Sequence, residues 1–227
     1  AVSGEARVKG ASAVRLDDVF AGDTALVGAA SAVIGPLSQL LRNDLASVEF
    51  EQIDLTIRAS ERMRLAVIER VWIDDVRIRP GTTVPLHVAT RSYRGDQTVR
   101  TIPVAIPSHA RGTLTLLVSD ASRLNQMDSR EGRQPGDATS VPQLIRQFNL
   151  ARRTNRIYVR LTSSSPGAVV RGEAMPGLPP SVLSVFEADR SGPGTPPLRA
   201  APLGEWDIAV DAAVRGSRVL VLALESH

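Results

Sequence analysis

The stretch Leu65–Val118, LAVIERVWIDDVRIRPGTTVPLHVATRSYRGDQTVRTIPVAIPSHARGTLTLLV, determines the fold class that we expect for this chain. Apolar residues alternate with other residues along four short segments, and alternation with a period of two is typical of strands with one buried face. Glycine, proline and aspartate favour turns between them, at Arg79–Thr82, Tyr93–Asp96 and Arg111–Gly112. Short strands with regular turn signals indicate an antiparallel sandwich. The predicted fold class is mainly β (α+β), with an immunoglobulin- or fibronectin-like sandwich core and a few accessory helices.

Helices are predicted on both sides of this stretch. Residues 25–41 carry no charge and place apolar side chains on one helical face, although Pro36 is expected to kink or split that helix. The run is near the lower length limit for a membrane span, but glycine, serine and glutamine dilute it, so we prefer a helix packed on the protein. A short helix is predicted at Ser122–Glu131, and Ser140 is expected to cap another helix.

Two further strands affect the predicted topology. Val48–Ile57 alternates with a phase slip near Gln52, which indicates a bulge, and we expect it to be the first strand of the sandwich. Ser217–Leu224 is apolar on both faces, which predicts a central, buried strand that returns to complete an earlier sheet. Pro103 cannot donate to a ladder, so its strand is expected at an edge or a bulge.

The length of 227 residues is enough for one large or two small domains. Because the last strand is expected to return to an earlier sheet, clean boundaries are not expected. The predicted organisation has three parts: residues 1–46, strands and a helix (about 24–42) packed on the core; residues 47–121, the immunoglobulin-like sandwich; and residues 122–227, a helix–strand segment with the returning strands.

The residue types available for chemistry are few. Cysteine is absent, which excludes disulfides and thiolate chemistry. Asp17, Asp18 and Asp23 lie close together, but their spacing matches no EF-hand, so we favour a turn with a helix N-cap at Asp23 or Thr24 over a calcium site. We predict no metal and no cofactor.

Catalysis is also not predicted. The chain has three histidines: His87, His109 and His227. His109 with Ser108 or Ser119 and Asp120 is the one combination that suggests a Ser–His–Asp arrangement, but no nucleophile-elbow sequence accompanies it.

The sequence contains one cluster of basic residues, which we take as a candidate interaction surface: Arg146, Arg152, Arg153, Arg156 and Arg160. Such a cluster suits an acidic partner, anionic lipid or phosphate, and the alternative is a set of solvated arginines at a helix end. The net charge is only +3, so nucleic acid is not a predicted partner.

Four stretches together resemble one family. They are RLDDVFAGDTA (Arg15–Ala25), IERVWIDDVRIRPGTTV (Ile68–Val84), VPQLIRQFNLARRTNRIYVRL (Val141–Leu161) and LPPSVLSV (Leu178–Val185). They are similar to the long region that follows the peptidase domain in bacterial proteins with a SpoIVB-type serine peptidase domain. The resemblance implies a periplasmic or extracellular location and a role beside a peptidase. It transfers no catalytic residue, because the catalytic serine and histidine of that family belong to the peptidase domain.

The sequence therefore predicts a non-catalytic accessory or interaction module. The expected partner is a protein, either its own peptidase domain or a second copy joined by strand addition, and a membrane surface is a lesser alternative. The expected binding surface is an exposed strand edge or the loops Gly132–Thr139 and Gly192–Pro197. Two alternatives stay open: a hydrolase with unrecognised residues, and a carbohydrate-binding sandwich. The second is weakened by scarce aromatics and by Trp72, which we expect to be buried.

Overall fold

The computed structural model describes residues 1–74, 77–163, 167–170, 173–176, 197–198 and 201–225. The protein is mainly β, with 44% strand and 20% helix, and has a β-sandwich-type α+β fold, which confirms the predicted fold class. The stretch Leu178–Val185 and residues 192–196 of the predicted loop lie outside the described residues. The helices are α1 (Ala25–Leu41), α2 (Ala121–Arg130) and α3 (Val141–Leu150), and the strands are β1 (Val2–Val8), β2 (Val14–Arg15), β3 (Phe50–Ile57), β4 (Leu65–Ile73), β5 (Thr83–Ser92), β6 (Gln97–Ala105), β7 (Thr113–Ser119), β8 (Arg156–Ser163), β9 (Gly167–Val170), β10 (Glu173–Pro176), β11 (Pro197–Leu198), β12 (Ala201–Ala209), β13 (Ala213–Arg215) and β14 (Ser217–Ala223).

The chain forms two compact units, and each is assembled from separate pieces of sequence. Unit 1 consists of Ala1–Ala66, Asp137–Arg156 and Ala209–Val214. Unit 2 consists of Val67–Gly136, Ile157–Ile208 and Arg215–His227. The described strands form four sheets, with the orders β2-β1-β3, β10-β9-β11, β12-β8-β7-β14 and β13-β4-β5-β6.

Unit 2 carries the strands predicted within Leu65–Val118. β5 and β6 form a regular antiparallel pair, and alternate residues of β5 are buried at Val84, Leu86 and Val88. Pro103 lies in β6, an edge strand, as predicted. A proline is tolerated there because the unpaired side of an edge strand needs no donor.

β14 corrects the sequence-based interpretation of the C-terminus. It was expected to be central and buried, but it is the edge strand next to β7, and Val219 and Val221 are exposed. The prediction was wrong because apolar residues on both faces do not determine how many strands flank a strand.

In unit 1, the sheet β2-β1-β3 packs with α1 and α3 around one apolar cluster. The buried members of that cluster are Ala6, Val8, Val14, Leu16, Leu40, Val141, Leu144 and Ile145. β3 was expected to begin the sandwich, and this is wrong because β3 pairs with β1. The bulge is confirmed: Arg7 is opposite Gln52 and Val8 is opposite Phe50, so Glu51 is the extra residue.

α1 covers the predicted range and is not split at Pro36. Of its residues only Leu40 is buried, while Leu26, Ile34 and Leu41 are exposed. The predicted apolar face is therefore only partly covered. Within the described ranges, no helix is both long and apolar enough to span a membrane.

Asp18 shows how the acidic segment is used. It is buried, and Oδ1 accepts hydrogen bonds from the backbone N–H of Val19 (2.8 Å) and from Thr154, both N–H (2.8 Å) and hydroxyl (2.7 Å). The carboxylate thus connects two parts of unit 1 that are far apart in sequence. In the part of the chain that is described, no group of three or more His, Cys, Asp or Glu residues is arranged to hold a metal ion.

Candidate interaction surface

β3 is an edge strand with one free side. In the sheet β2-β1-β3 it pairs with β1, and no other described strand lies on its far side. We call this far side of Phe50–Ile57 the β3 edge. Unpaired strand edges present backbone donors and acceptors that another strand can use.

The hydrogen-bond pattern identifies the residues whose backbone groups point outward. Arg58 N–H donates to the Ala1 carbonyl (2.9 Å), and the Ala1 amine donates to the Arg58 carbonyl (2.9 Å). In an antiparallel ladder, successive residues turn these groups alternately toward and away from the neighbouring strand. Because Arg58 faces β1, the outward groups of β3 belong to Ile53, Leu55 and Ile57.

The same three residues carry apolar side chains that are exposed to solvent. Ile53 is 47% exposed, Leu55 39% and Ile57 61%. Ile53 lies directly opposite Ala6 and Ile57 opposite Val2, and both of these β1 residues are buried. Residues opposite one another lie on the same face of a sheet. The buried apolar face of β1 therefore continues onto β3 as an exposed apolar face.

The other face of this sheet is polar and satisfied by its own contacts. Glu5 accepts a hydrogen bond from Arg7 Nε (2.9 Å), and Asp54 accepts from Gln52 Nε2 (3.0 and 2.8 Å). The hydrogen bond with Glu5 is the main reason why the pKa of Arg7 is raised, and the charges of Asp54 and Glu51 add to it. β3 thus has one apolar and one polar face, as a strand with one buried face has, but its apolar face is exposed to solvent.

Exposed apolar side chains are concentrated in unit 1. Among the described residues, ten large hydrophobic side chains are exposed in unit 1 and five in unit 2. Those in unit 1 are Leu26, Val27, Ile34, Leu41, Leu45, Ile53, Leu55, Ile57, Met63 and Leu150. Among them, Ile53, Leu55 and Ile57 share one face of β3, and a contiguous apolar face marks an interaction site more often than scattered apolar residues do.

The predicted arginine cluster is not one surface. Arg160 belongs to unit 2 and is only 4% exposed, whereas the other four residues, Arg146, Arg152, Arg153 and Arg156, belong to unit 1. Arg146 is exposed on α3, and Arg153 donates to the Arg15 carbonyl (3.0 Å). Arg160 is therefore corrected from a surface residue to a buried one.

Arg160 is the centre of a buried ion network. Its guanidinium donates to both carboxylate oxygens of Asp128 (2.6 and 3.1 Å) and to Oε2 of Glu205 (2.9 and 3.1 Å). Burial alone would lower the pKa of Arg160, but the hydrogen bonds and charges of the two carboxylates outweigh it, and the pKa is raised. The arginine stays charged and connects α2, β8 and β12, so its role is structural.

His87 is the centre of a polar and aromatic cluster on β4, β5 and β6. Its Nδ1 lies 3.0 Å from Thr101 Oγ1, and its Nε2 lies 2.9 Å from Asp74 Oδ2. In a Ser–His–Asp triad, Nε2 faces the hydroxyl and Nδ1 faces the carboxylate. The arrangement here is the reverse. The Trp72 ring stacks on His87 with centroids 5.2 Å apart, and the Arg70 guanidinium lies 5.0 Å from the Trp72 centroid.

The side chain of Trp72 is half-buried, so its expected burial is wrong. Its ring contacts His87 and the guanidinium of Arg70. Arg91, on the same strand as His87, contacts Glu69 of β4 (2.5 Å).

In the other catalytic arrangement considered, Ser108 and His109 are exposed, whereas Ser119 and Asp120 are part of the fold around α2 and β7. Ser119 is fully buried in β7. Asp120 caps α2 by accepting from the Arg123 N–H (2.8 Å), and it also accepts from the Gly216 N–H (2.7 Å). A buried serine next to a capping aspartate does not form an accessible nucleophile.

Comparison with protein-family models, curated proteins and solved structures finds no match to this chain. The resemblance to the region beside a SpoIVB-type peptidase domain therefore stays a prediction.

Proposed function

We propose that this protein is a non-catalytic interaction module that binds a partner protein by strand addition at the β3 edge. The observation that carries the proposal is the coincidence of two properties in Ile53, Leu55 and Ile57. Their backbone groups point away from β1, and their side chains extend the apolar face of the unit 1 core into solvent.

Strand addition uses both properties at once. Main-chain hydrogen bonds to the outward groups supply affinity, and alternate side chains of the added strand supply specificity. A partner strand whose apolar residues fall on the same face would cover these exposed side chains. Burial of a large apolar side chain contributes about 1.5–3 kcal/mol, so coverage of even part of this face is a substantial driving force.

The resemblance to a peptidase-associated region supports a setting in a bacterial envelope or secreted protein, beside a peptidase domain. In that setting the added strand belongs to the peptidase domain or to a second copy of this chain. The hydrolase alternative has less support, because His87 makes the reverse of the triad contacts. The carbohydrate alternative has less support because His87 and Arg70 already contact the Trp72 ring.

The test is selection of displayed ten-residue peptides that alternate apolar and polar residues, with the purified chain as the target. We expect enriched peptides to bind the wild type and to lose binding to Leu55→Pro. Proline at this position removes an outward N–H and leaves the bonds from β3 to β1 intact, because those bonds are made by the neighbouring residues.

The matched control is Val221→Lys, which changes an apolar residue on a different edge strand, β14. Circular dichroism checks that each variant is folded. If no peptide distinguishes the wild type from Leu55→Pro, or if Val221→Lys abolishes binding equally, the β3 edge is not the binding element.

A further inference from the structure

We infer that the strand added to β3 is β3 of a second copy of this chain, antiparallel to the first, with a two-fold axis at Thr56. This inference rests on the proposed function, and it names the partner and the register. It follows from which faces can meet and from the order of charges along Phe50–Arg58.

Symmetry restricts the registers. A two-fold axis perpendicular to the sheet keeps the apolar side chains of both copies on one face. Each even-numbered residue then lies opposite an even-numbered residue of the other copy, and each odd-numbered residue lies opposite an odd-numbered one. The axis therefore passes through a residue pair rather than between two residues. The registers that set Leu55 opposite Ile53, Leu55 or Ile57 of the other copy are those centred on Asp54, Leu55 and Thr56.

The charges favour one of these three registers. A pair centred on Asp54 sets two aspartates directly opposite each other, and like charges in that position are destabilising. A pair centred on Leu55 sets Asp54 opposite Thr56, which forms no ion pair. A pair centred on Thr56 sets Asp54 opposite Arg58 twice, once on each side of the axis.

The apolar residues are compatible with the Thr56 register, and the charges decide between it and the Leu55 register, which would pair all three outward residues with one another. In the Thr56 register, Leu55 of each copy lies opposite Ile57 of the other, and these are residues with outward backbone groups. The two pairs can exchange four main-chain hydrogen bonds. At the axis, Thr56 faces Thr56, a favourable cross-strand pair.

The product is one continuous sheet in the order β2-β1-β3-β3-β1-β2. Ile53, Leu55 and Ile57 from both copies form one apolar face that is continuous with the two buried cores. Because the contact uses the same surface on each copy, it closes on itself and gives a dimer instead of a fibre.

Sedimentation equilibrium tests the partner. We expect the wild type to dimerise and Ile57→Lys to be monomeric at the same concentration. Val221→Lys is the matched control, because Val221 is 62% exposed and Ile57 is 61% exposed, and both lie on edge strands. We expect this control to dimerise like the wild type.

Charge exchange tests the register without depending on packing. Asp54→Arg should weaken the dimer about tenfold, because two ion pairs become repulsive. The double variant Asp54→Arg with Arg58→Asp exchanges the two charges and should restore dimerisation.

Cysteine cross-linking tests the axis directly, because the chain contains no cysteine. Facing Cβ atoms of a non-hydrogen-bonded pair are about 4.5–5.5 Å apart, which is close enough for a disulfide after a small shift. We expect Thr56→Cys to form a disulfide dimer on mild oxidation faster than Leu55→Cys, Asp54→Cys or the control Val221→Cys.

The outcomes separate this inference from the proposed function. A monomeric wild type, or a dimer that survives Ile57→Lys, overturns self-pairing through β3. Peptide binding that Leu55→Pro abolishes would then still support a strand-accepting edge with another partner. A dimer in which Leu55→Cys or Asp54→Cys cross-links fastest, or which the charge exchange does not restore, overturns the Thr56 register.

Discussion

At the scale of single residues, Arg160 shows why a local cluster of charges is a weak guide to a surface. In the sequence it is one of five arginines within fifteen residues. In the fold it belongs to a different unit from the other four, and it is neutralised by Asp128 and Glu205, which lie 32 and 45 positions away. Burial of the guanidinium was not predictable, because neither carboxylate is marked in the sequence as its partner.

Loss of Arg160 should destabilise unit 2 strongly. We expect Arg160→Ala to lower the free energy of unfolding by about 3–5 kcal/mol, because it removes the guanidinium that donates to both carboxylate oxygens of the buried Asp128. Urea titration followed by tryptophan fluorescence measures this effect, since Trp72 and Trp206 both belong to unit 2.

The matched control for this prediction is Arg146→Ala. Arg146 is exposed, so we expect a change within about 0.5 kcal/mol. A double variant, Arg160→Met with Asp128→Leu, should recover much of the lost stability, because it removes both buried charges. Equal effects of Arg160→Ala and Arg146→Ala would contradict the structural role of the network.

At the scale of elements, the first and last residues of helices and strands were more predictable than which strands lie next to each other in a sheet. Residues 25–41 form α1 as predicted, because a long uncharged apolar run allows few other structures. The alternation of Ile53, Leu55 and Ile57 predicted a strand but not that it pairs with β1. A period of two shows which side chains share a face, and it contains no information about which strand lies alongside. For the same reason the edge position of β14 was missed.

The pairing of β1 with β3 depends on a close backbone approach at Gly4. A Cβ atom at this position would lie 2.1 Å from the Asp54 carbonyl oxygen. We expect Gly4→Ala to destabilise unit 1 by about 1–3 kcal/mol, because the two strands must separate to make room. Hydrogen exchange at the β3 amides that bond to β1 measures the change, and these amides should exchange faster.

Gly35→Ala is the control for this substitution. Gly35 lies in α1, and apart from its chain neighbours and the helix backbone a Cβ atom there would meet nothing within 4 Å. Alanine is the better helix former, but its Cβ meets the ring of Pro36, so the two effects offset and this variant should change the free energy of unfolding by less than about 1 kcal/mol. If the β3 amides exchange at the same rate in Gly4→Ala and Gly35→Ala, the close approach at Gly4 does not control the pairing of β1 with β3.

At the scale of the whole molecule, unit 1 is completed only by distant sequence. Leu144 and Ile145 of α3 fill the same apolar cluster as Ala6 and Val14 near the N-terminus. Asn149 of α3 adds two hydrogen bonds to the N-terminal segment: its side chain donates to the Ala13 carbonyl (2.9 Å) and accepts from the Arg15 N–H (2.8 Å). No contiguous N-terminal piece that ends before α3 contains a complete core.

A fragment of residues 1–136 should therefore lack a folded unit 1. We expect its thermal unfolding to show no cooperative transition for β1, β2, β3 and α1, because Leu144 and Ile145 are missing from the core. The dispersion of the amide proton chemical shifts of these elements in an NMR spectrum shows directly whether they are folded. Native-like dispersion in this fragment would mean that α3 is dispensable.

The discontinuous construction of unit 1 has a consequence for biosynthesis. β3 is translated ~80 residues before α3, and ribosomes add about 5–20 residues per second, so several seconds pass before the core of unit 1 can close. Throughout that delay the β3 edge of each nascent chain is exposed without a folded unit behind it. Chains growing side by side on one messenger therefore carry the segment most prone to pair long before they carry the helix that completes its fold.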